Sequence, residues 1–134
     1  MAPYVFMLAA VVNVVPIVFL FKVLINRLKE DTSLKNSIMS NFFIGVAMIE
    51  VIPILLIVYG MMDQEKYPMS EMVVPGAVIL LMMGLAGIAI LLQRRIDVPA
   101  EAKETVNTFT FVALALAMSI PIISIVGLLT HLQQ

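Results

Sequence analysis

Apolar positions run almost unbroken through four stretches of the chain. They extend from about Pro3 to Leu24, Ile38 to Met62, Met72 to Leu92 and Val106 to Leu129. Each reaches the roughly 20 residues that a helix needs to cross the hydrocarbon of a bilayer. Three polar connections separate them, so nearly the whole chain is accounted for. The pattern predicts an all-α membrane protein of four transmembrane helices, arranged as two tandem helical hairpins over residues 1–66 and 67–134.

Composition agrees with the pattern. Hydrophobic residues make up 62% of the 134 and charged residues 13%, against about 45–50% and 25% in soluble domains. Such a chain cannot cover its apolar surface in water, so the lipid bilayer is its expected solvent. No basic stripe interleaved with aromatics is present, which argues against nucleic acid as a partner. Without cysteine there is no disulfide, thiolate metal site or thiol nucleophile. No phosphate loop, hydrolase motif or cofactor signature is visible, so no cofactor is expected. Met-Ala-Pro-Tyr at the start lacks the basic region of a signal peptide, and the first apolar stretch is expected to stay as a helix.

Basic residues are distributed unevenly. Lys22, Arg27, Lys29 and Lys35 flank the first connection, and Arg94, Arg95 and Lys103 the third. The middle connection has Lys66 against Asp63, Glu65 and Glu71. The positive-inside rule predicts cytoplasmic first and third connections, with both termini outside. Tyr4, Tyr59 and Tyr67 then share the outer side, as in an interfacial aromatic belt.

A shift of 68 residues lays the second span on the fourth without gaps. Phe43 falls on Phe111, Ala47 on Ala115, Ile52 on Ile120, Pro53 on Pro121, and Ile57-Val58 on Ile125-Val126. Lys35 falls on Lys103 and Arg27 on Arg95. This reads as a parallel repeat of one hairpin. The shift puts Glu50 on Met118, so a single hairpin carries a carboxylate inside its span.

Glu50 lies about 12 residues into the second span, or roughly 18 Å at 1.5 Å per residue. That is close to the bilayer midplane, where an ionised carboxylate costs about 2.5–3.5 kcal/mol on insertion scales. The expected resting form is the neutral acid, which can release its proton when a cation or a water path comes near. Glu50 is therefore the central candidate ion-binding residue, with Asn13 and the carbonyl of Ile49 as the other candidate ion-binding groups. A hairpin turn centred on Asp31 and Thr32 sets Asn13 at the depth of Glu50, and Tyr4 at that of Tyr59. The Asn13 amide can hydrogen-bond either form of the acid, or glue two helices. Pro53 removes a backbone donor and frees the carbonyl of Ile49 one turn earlier, which adds an oxygen next to Glu50. The same proline chemistry recurs at Pro121, where there is no acid, and there it reads as a mild kink.

Residues 42–60 resemble the carboxylate helix of ATP synthase subunit c. That family has a Phe-Ile-Gly-x-Ala-x-x-Glu-x-x-Pro-Ile type segment, matched here by Phe43, Ile44, Gly45, Ala47, Glu50, Pro53 and Ile54. With the repeat, the chain is similar to the double-hairpin proteolipids of V-type and archaeal-type rotary ATPases. The resemblance implies a proton-translocating, non-catalytic membrane subunit of a bacterial or archaeal plasma membrane, with Gly45, Ala47 and Pro53 supporting the site. It also implies a homo-oligomeric ring turning past a stator subunit that supplies an arginine. Val51 after Glu50 and the apolar region around Ile17 imply protons rather than sodium. Two family features differ. Glu30-Asp31-Thr32 replaces an Arg-Gln/Asn-Pro loop, and only Ala9 and Ala10 are small in the middle of the first span. The third span is richer in small residues, with Gly76, Gly84, Ala86, Gly87 and Ala89, which suit close helix packing. Two further readings therefore stay open: a non-catalytic subunit-c-like scaffold or assembly protein, and a small independent ion transporter.

The remaining polar residues have ordinary expectations. Ser119 and Ser124 are expected to bond back to their own helix. Lys22 is expected to snorkel, with Asn41 at its depth to cap the charge. His131 reads as a lone interfacial histidine, and the 11 methionines as packing or lipid-facing residues.

Overall fold

A computed structural model of the chain describes residues 2–93, 98, 100 and 103–132. Among the described residues four α-helices make up the fold: α1 (Ala2–Glu30), α2 (Lys35–Met62), α3 (Met69–Gln93) and α4 (Lys103–Thr130). All four are long and apolar enough to cross a membrane. The chain is thus an integral membrane protein of the all-α, four-helix class. Arg94 and Arg95, used above for orientation and the repeat, lie outside the described residues.

The helices outrun the apolar stretches. Polarity marks where the hydrocarbon ends, whereas backbone hydrogen bonding continues into the interface. α1 extends six residues past Leu24 and ends with Arg27 and Lys29 in its last turn, cations that suit the negative end of the helix dipole. The first connection shrinks to Asp31 and a 3-10 turn, Thr32–Leu34. Asp31 Oδ1 accepts from the Ser33 hydroxyl at 2.6 Å and from its backbone N–H at 3.0 Å. These bonds hold the Asp31 carboxyl below the usual carboxylate range.

Central and peripheral helices are clearly distinguished. Buried residues make up 44% of the apolar window of α1 and 39% of that of α4, against 17% for α2 and 22% for α3. α1 and α4 therefore form the core pair, and α2 and α3 flank it with broad faces toward lipid. Ala9, Ala10, Ala113 and Ala117 are all fully buried, so the core pair approaches closely over small side chains. Toward the 31–34 turn, Phe21 and Phe42 pack on Phe109 with ring centroids 5.2 and 5.0 Å away. At the opposite end, the Phe6 ring lies between Gly60 of α2 and Gly127 of α4. A Cβ on Gly127 would meet the ring at 2.6 Å, and one on Gly60 at 2.9 Å. Glycine is required at both positions because the ring occupies the space of a side chain.

The register of the α1–α2 hairpin follows the expected depth pairing at Phe21–Phe42. At the other end the Phe6 ring reaches Gly60, three residues past its equal-depth partner Ile57, because helical side chains lean toward the N-terminus of their own helix. The glycines of α3 do not make the close packing expected of them, whereas Ala86 is buried. A Cβ on Gly84 would meet nothing within 4 Å, and one on Gly76 or Gly87 would make ordinary contact with Leu128 or Met118.

Candidate functional site

Glu50 occupies the middle of α2, about 22 Å from Lys35 and 18 Å from Met62 at 1.5 Å per residue. It lies at the edge of the buried face of α2. Val46 and Pro53 are buried, Ile49 and Glu50 are half-buried, and Val51 is exposed. The carboxylate faces α4, where Ser119 Oγ lies 3.4 Å from Oε1. That is long for a bond between oxygens, which usually measures 2.5–3.0 Å. The same hydroxyl lies 2.8 Å from the Leu116 carbonyl. A hydroxyl has one proton and two lone pairs. Ser119 can therefore donate to Leu116 while accepting from a protonated Glu50, or turn its proton to an ionised one. Its expected back-bond is present, and the contact with Glu50 was not foreseen. The repeat held a clue, because Ser119 directly follows Met118, the counterpart of Glu50.

Asn13 turns the other way. Its side chain is fully buried, and Nδ2 donates to the Ala117 carbonyl of α4 at 3.1 Å. Pro121 explains why that carbonyl is available. Lacking an N–H, Pro121 leaves the carbonyl four residues earlier without its helical donor, and Asn13 supplies one from the neighbouring helix. The amide thus ties α1 to α4, and its Oδ1 has no hydrogen-bond partner. Pro121, read from the repeat as a mild kink, has a partner in α1 and therefore a packing role. Ser124 also departs from expectation: its buried Oγ has no partner and does not bond back to its helix. Thr110 Oγ1 is in the same state.

The other candidates near Glu50 divide by face. Pro53 is buried within an unbroken helix, and no side chain among the described residues donates to the Ile49 carbonyl it frees. Gly45 faces α1, where a Cβ would meet Leu20 Cδ2 at 2.5 Å. Ala47 is exposed on the lipid side of α2. Gly45 and Pro53 therefore shape the contacts of α2, while Ile49 and Glu50 share the half-open seam.

A second polar cluster ties the helix ends at the α2–α3 connection. Asp63 accepts from the Tyr67 hydroxyl and the Glu65 backbone N–H. These bonds, the Tyr67 one foremost, hold its carboxyl below the usual carboxylate range. Tyr67 is buried, unlike Tyr4 and Tyr59, so it braces the connection rather than joining a belt. Its backbone N–H donates to the His131 carbonyl at 2.8 Å, and Lys66 Nζ donates to the Thr130 carbonyl. His131 is buried, against the expectation of an ordinary interfacial residue. Nδ1 lies 2.8 Å from the Gly127 carbonyl and Nε2 lies 2.6 Å from the Asp63 carbonyl. The imidazole also stands edge-on to Phe6 at 5.5 Å.

Near the other end, Lys29 is buried and donates to Gln93 Oε1 of α3 at 3.3 Å. Lys22 is exposed. Asn41 does not cap it, and among the described residues no group hydrogen-bonds or ion-pairs with it.

Comparison of the chain with protein-family models, curated proteins and solved structures found no match.

Proposed function

We propose that this chain is a proton-carrying membrane subunit of the subunit-c-like proteolipid type, in which Glu50 takes up and releases the proton. One observation carries the reading: a single carboxylate at mid-depth in an apolar helix, half-buried, with a hydroxyl on one side and an open lipid-facing edge on the other. A fully enclosed acid has no route for exchange, and a fully exposed one is costly in hydrocarbon. The half-open seam supplies both a partner and access. Ser119 serves either protonation state by rotating its hydroxyl. In a rotor arrangement several copies form a ring, and the arginine that displaces the proton comes from a separate stator subunit. Arg27 stands in the last turn of α1, far from the depth of Glu50.

The test is covalent labelling. Dicyclohexylcarbodiimide is expected to modify Glu50 at neutral or mildly acidic pH, with less modification at higher pH and none in Glu50→Gln. Absence of labelling under conditions that modify a known proteolipid overturns the proposal. Mass measurement in mild detergent then separates a closed ring from a monomer, and proton flux in liposomes of the purified chain separates an independent transporter from a subunit.

The Ser119–Glu50 contact favours a second reading, a non-transporting scaffold in which these side chains only join α2 to α4. On that reading Glu50→Gln preserves both assembly and membrane energetics, because glutamine keeps the acceptor.

A further inference from the structure

We propose that the crevice between α1 and α3 holds one acyl chain of an anionic phospholipid, with the lipid phosphate on Lys22. The crevice has a volume of roughly 400 Å³ and is lined by Val14, Val18 and Phe19 of α1 and by Ala86 and Ala89 of α3, with Lys22 at one end. Met82 and Leu85 of α3 complete its wall beside the two alanines. Its floor is the core itself, since Val14 and Ala86 are buried. Phe19 stands 71% exposed and forms a rim.

Dimensions and charge both select the occupant. From Lys22 to Val14 is eight residues, or about 12 Å along the helix. One leaflet contributes about 15 Å of hydrocarbon, so the crevice runs most of the depth of an acyl chain. It begins near the middle of α1 and ends at the lysine. Lys22 lies about 12 Å from the last residue of α1, within reach of the headgroup region by snorkelling. The two lysines on this side of α1 differ in one respect. Lys29, two turns further on, has Gln93 as its partner, whereas Lys22 has none among the described residues. A cation at the mouth of an otherwise apolar crevice complements an amphiphile with one anionic head. An apolar helix of a partner protein would leave that charge uncompensated.

The test uses the full chain in mild detergent and native mass spectrometry, with phosphatidylglycerol and phosphatidylcholine of identical acyl chains as probes. The wild type is expected to retain phosphatidylglycerol at least about 5-fold better. Lys22→Gln is expected to bring the two lipids to parity, and Lys22→Arg to keep the preference. Ala89→Leu fills the crevice without touching the charge and is expected to weaken phosphatidylglycerol binding several-fold. Water-soluble glycerol phosphate should not displace the lipid. A preference that survives Lys22→Gln overturns the proposal. Indifference to Ala89→Leu overturns it too, leaving headgroup attraction without a chain site. Displacement by glycerol phosphate makes Lys22 a site for free anions instead. Labelling of Glu50 does not enter any of these outcomes.

Discussion

α4 has two polar contacts at nearly the same depth, and they differ in kind. Toward α1 it meets Asn13 across a seam of alanines, fully buried, with a 3.1 Å bond to a carbonyl that Pro121 has freed. Toward α2 it meets Glu50 through Ser119 at 3.4 Å, half-buried and open along one edge. The first contact satisfies a backbone group that would otherwise be orphaned in a dry core, and it has no room for change. The second leaves its carboxylate only loosely held. The amide thus bridges two core helices through Nδ2 alone, its Oδ1 left without a partner, whereas the carboxylate is held loosely at a half-open seam.

The largest expected effect on the closed seam comes from Gly127→Ala. Its Cβ would sit 2.6 Å from the Phe6 ring, and that ring is fully buried with Gly60 on its other side. Overpacking of this kind costs about 1–3 kcal/mol, read as lower thermal stability in mild detergent. A stability equal to wild type would show that Phe6 has space elsewhere and that the seam is not closed.

Two substitutions compare the seams directly. Asn13→Ala leaves the Ala117 carbonyl buried without a donor. It is expected to destabilise by about 1 kcal/mol, between the average of about 0.6 and the maximum of about 1.7 found for interhelical bonds in membranes. Ser119→Ala is expected to cost no more than about 0.6 kcal/mol, because its bond to Glu50 is long and partly open. It should change the pH dependence of Glu50 labelling instead. A larger stability loss for Ser119→Ala than for Asn13→Ala would reverse the assignment of roles.

The smallest effect concerns the connection at the end of α2. Asp63 is held below the ordinary carboxylate range by the Tyr67 hydroxyl and the Glu65 N–H. Such a group stabilises the fold fully above its unfolded value, near pH 4, and the contribution disappears as pH falls through the lower folded value. Acid titration below about pH 4 should therefore loosen this connection, detected as faster amide exchange at Glu65 and Tyr67. Asp63→Asn should remove that acid dependence; if exchange in the variant still rises with acid as in wild type, another group is responsible.

Much of the molecule was legible in the sequence. The four apolar stretches and the single interior carboxylate follow from the cost of polar groups in hydrocarbon, which acts on each residue separately. The long reach of α1 through Arg27 and Lys29 was not legible, because polarity reports the bilayer boundary rather than the end of the helix. The pairing of polar groups was not legible either. Equal depth put Asn13 beside Glu50, but depth along a hairpin does not determine which neighbour a side chain turns to, and the amide turns to α4. Ser119 was read as a back-bonding serine, since a hydroxyl that bonds its own helix has the same local signature whether or not it also faces an acid.

Length, hydropathy and the position of Glu50 are properties of each span alone, so the sequence by itself determined that this is a four-helix membrane protein with one acid at mid-depth. The tertiary structure decided which helices lie at the centre, that Pro121 and Asn13 belong together, and that Glu50 meets Ser119 at a half-open seam. Those outcomes depend on helix rotation and on contacts between residues about 70 to 100 positions apart, which no local pattern encodes.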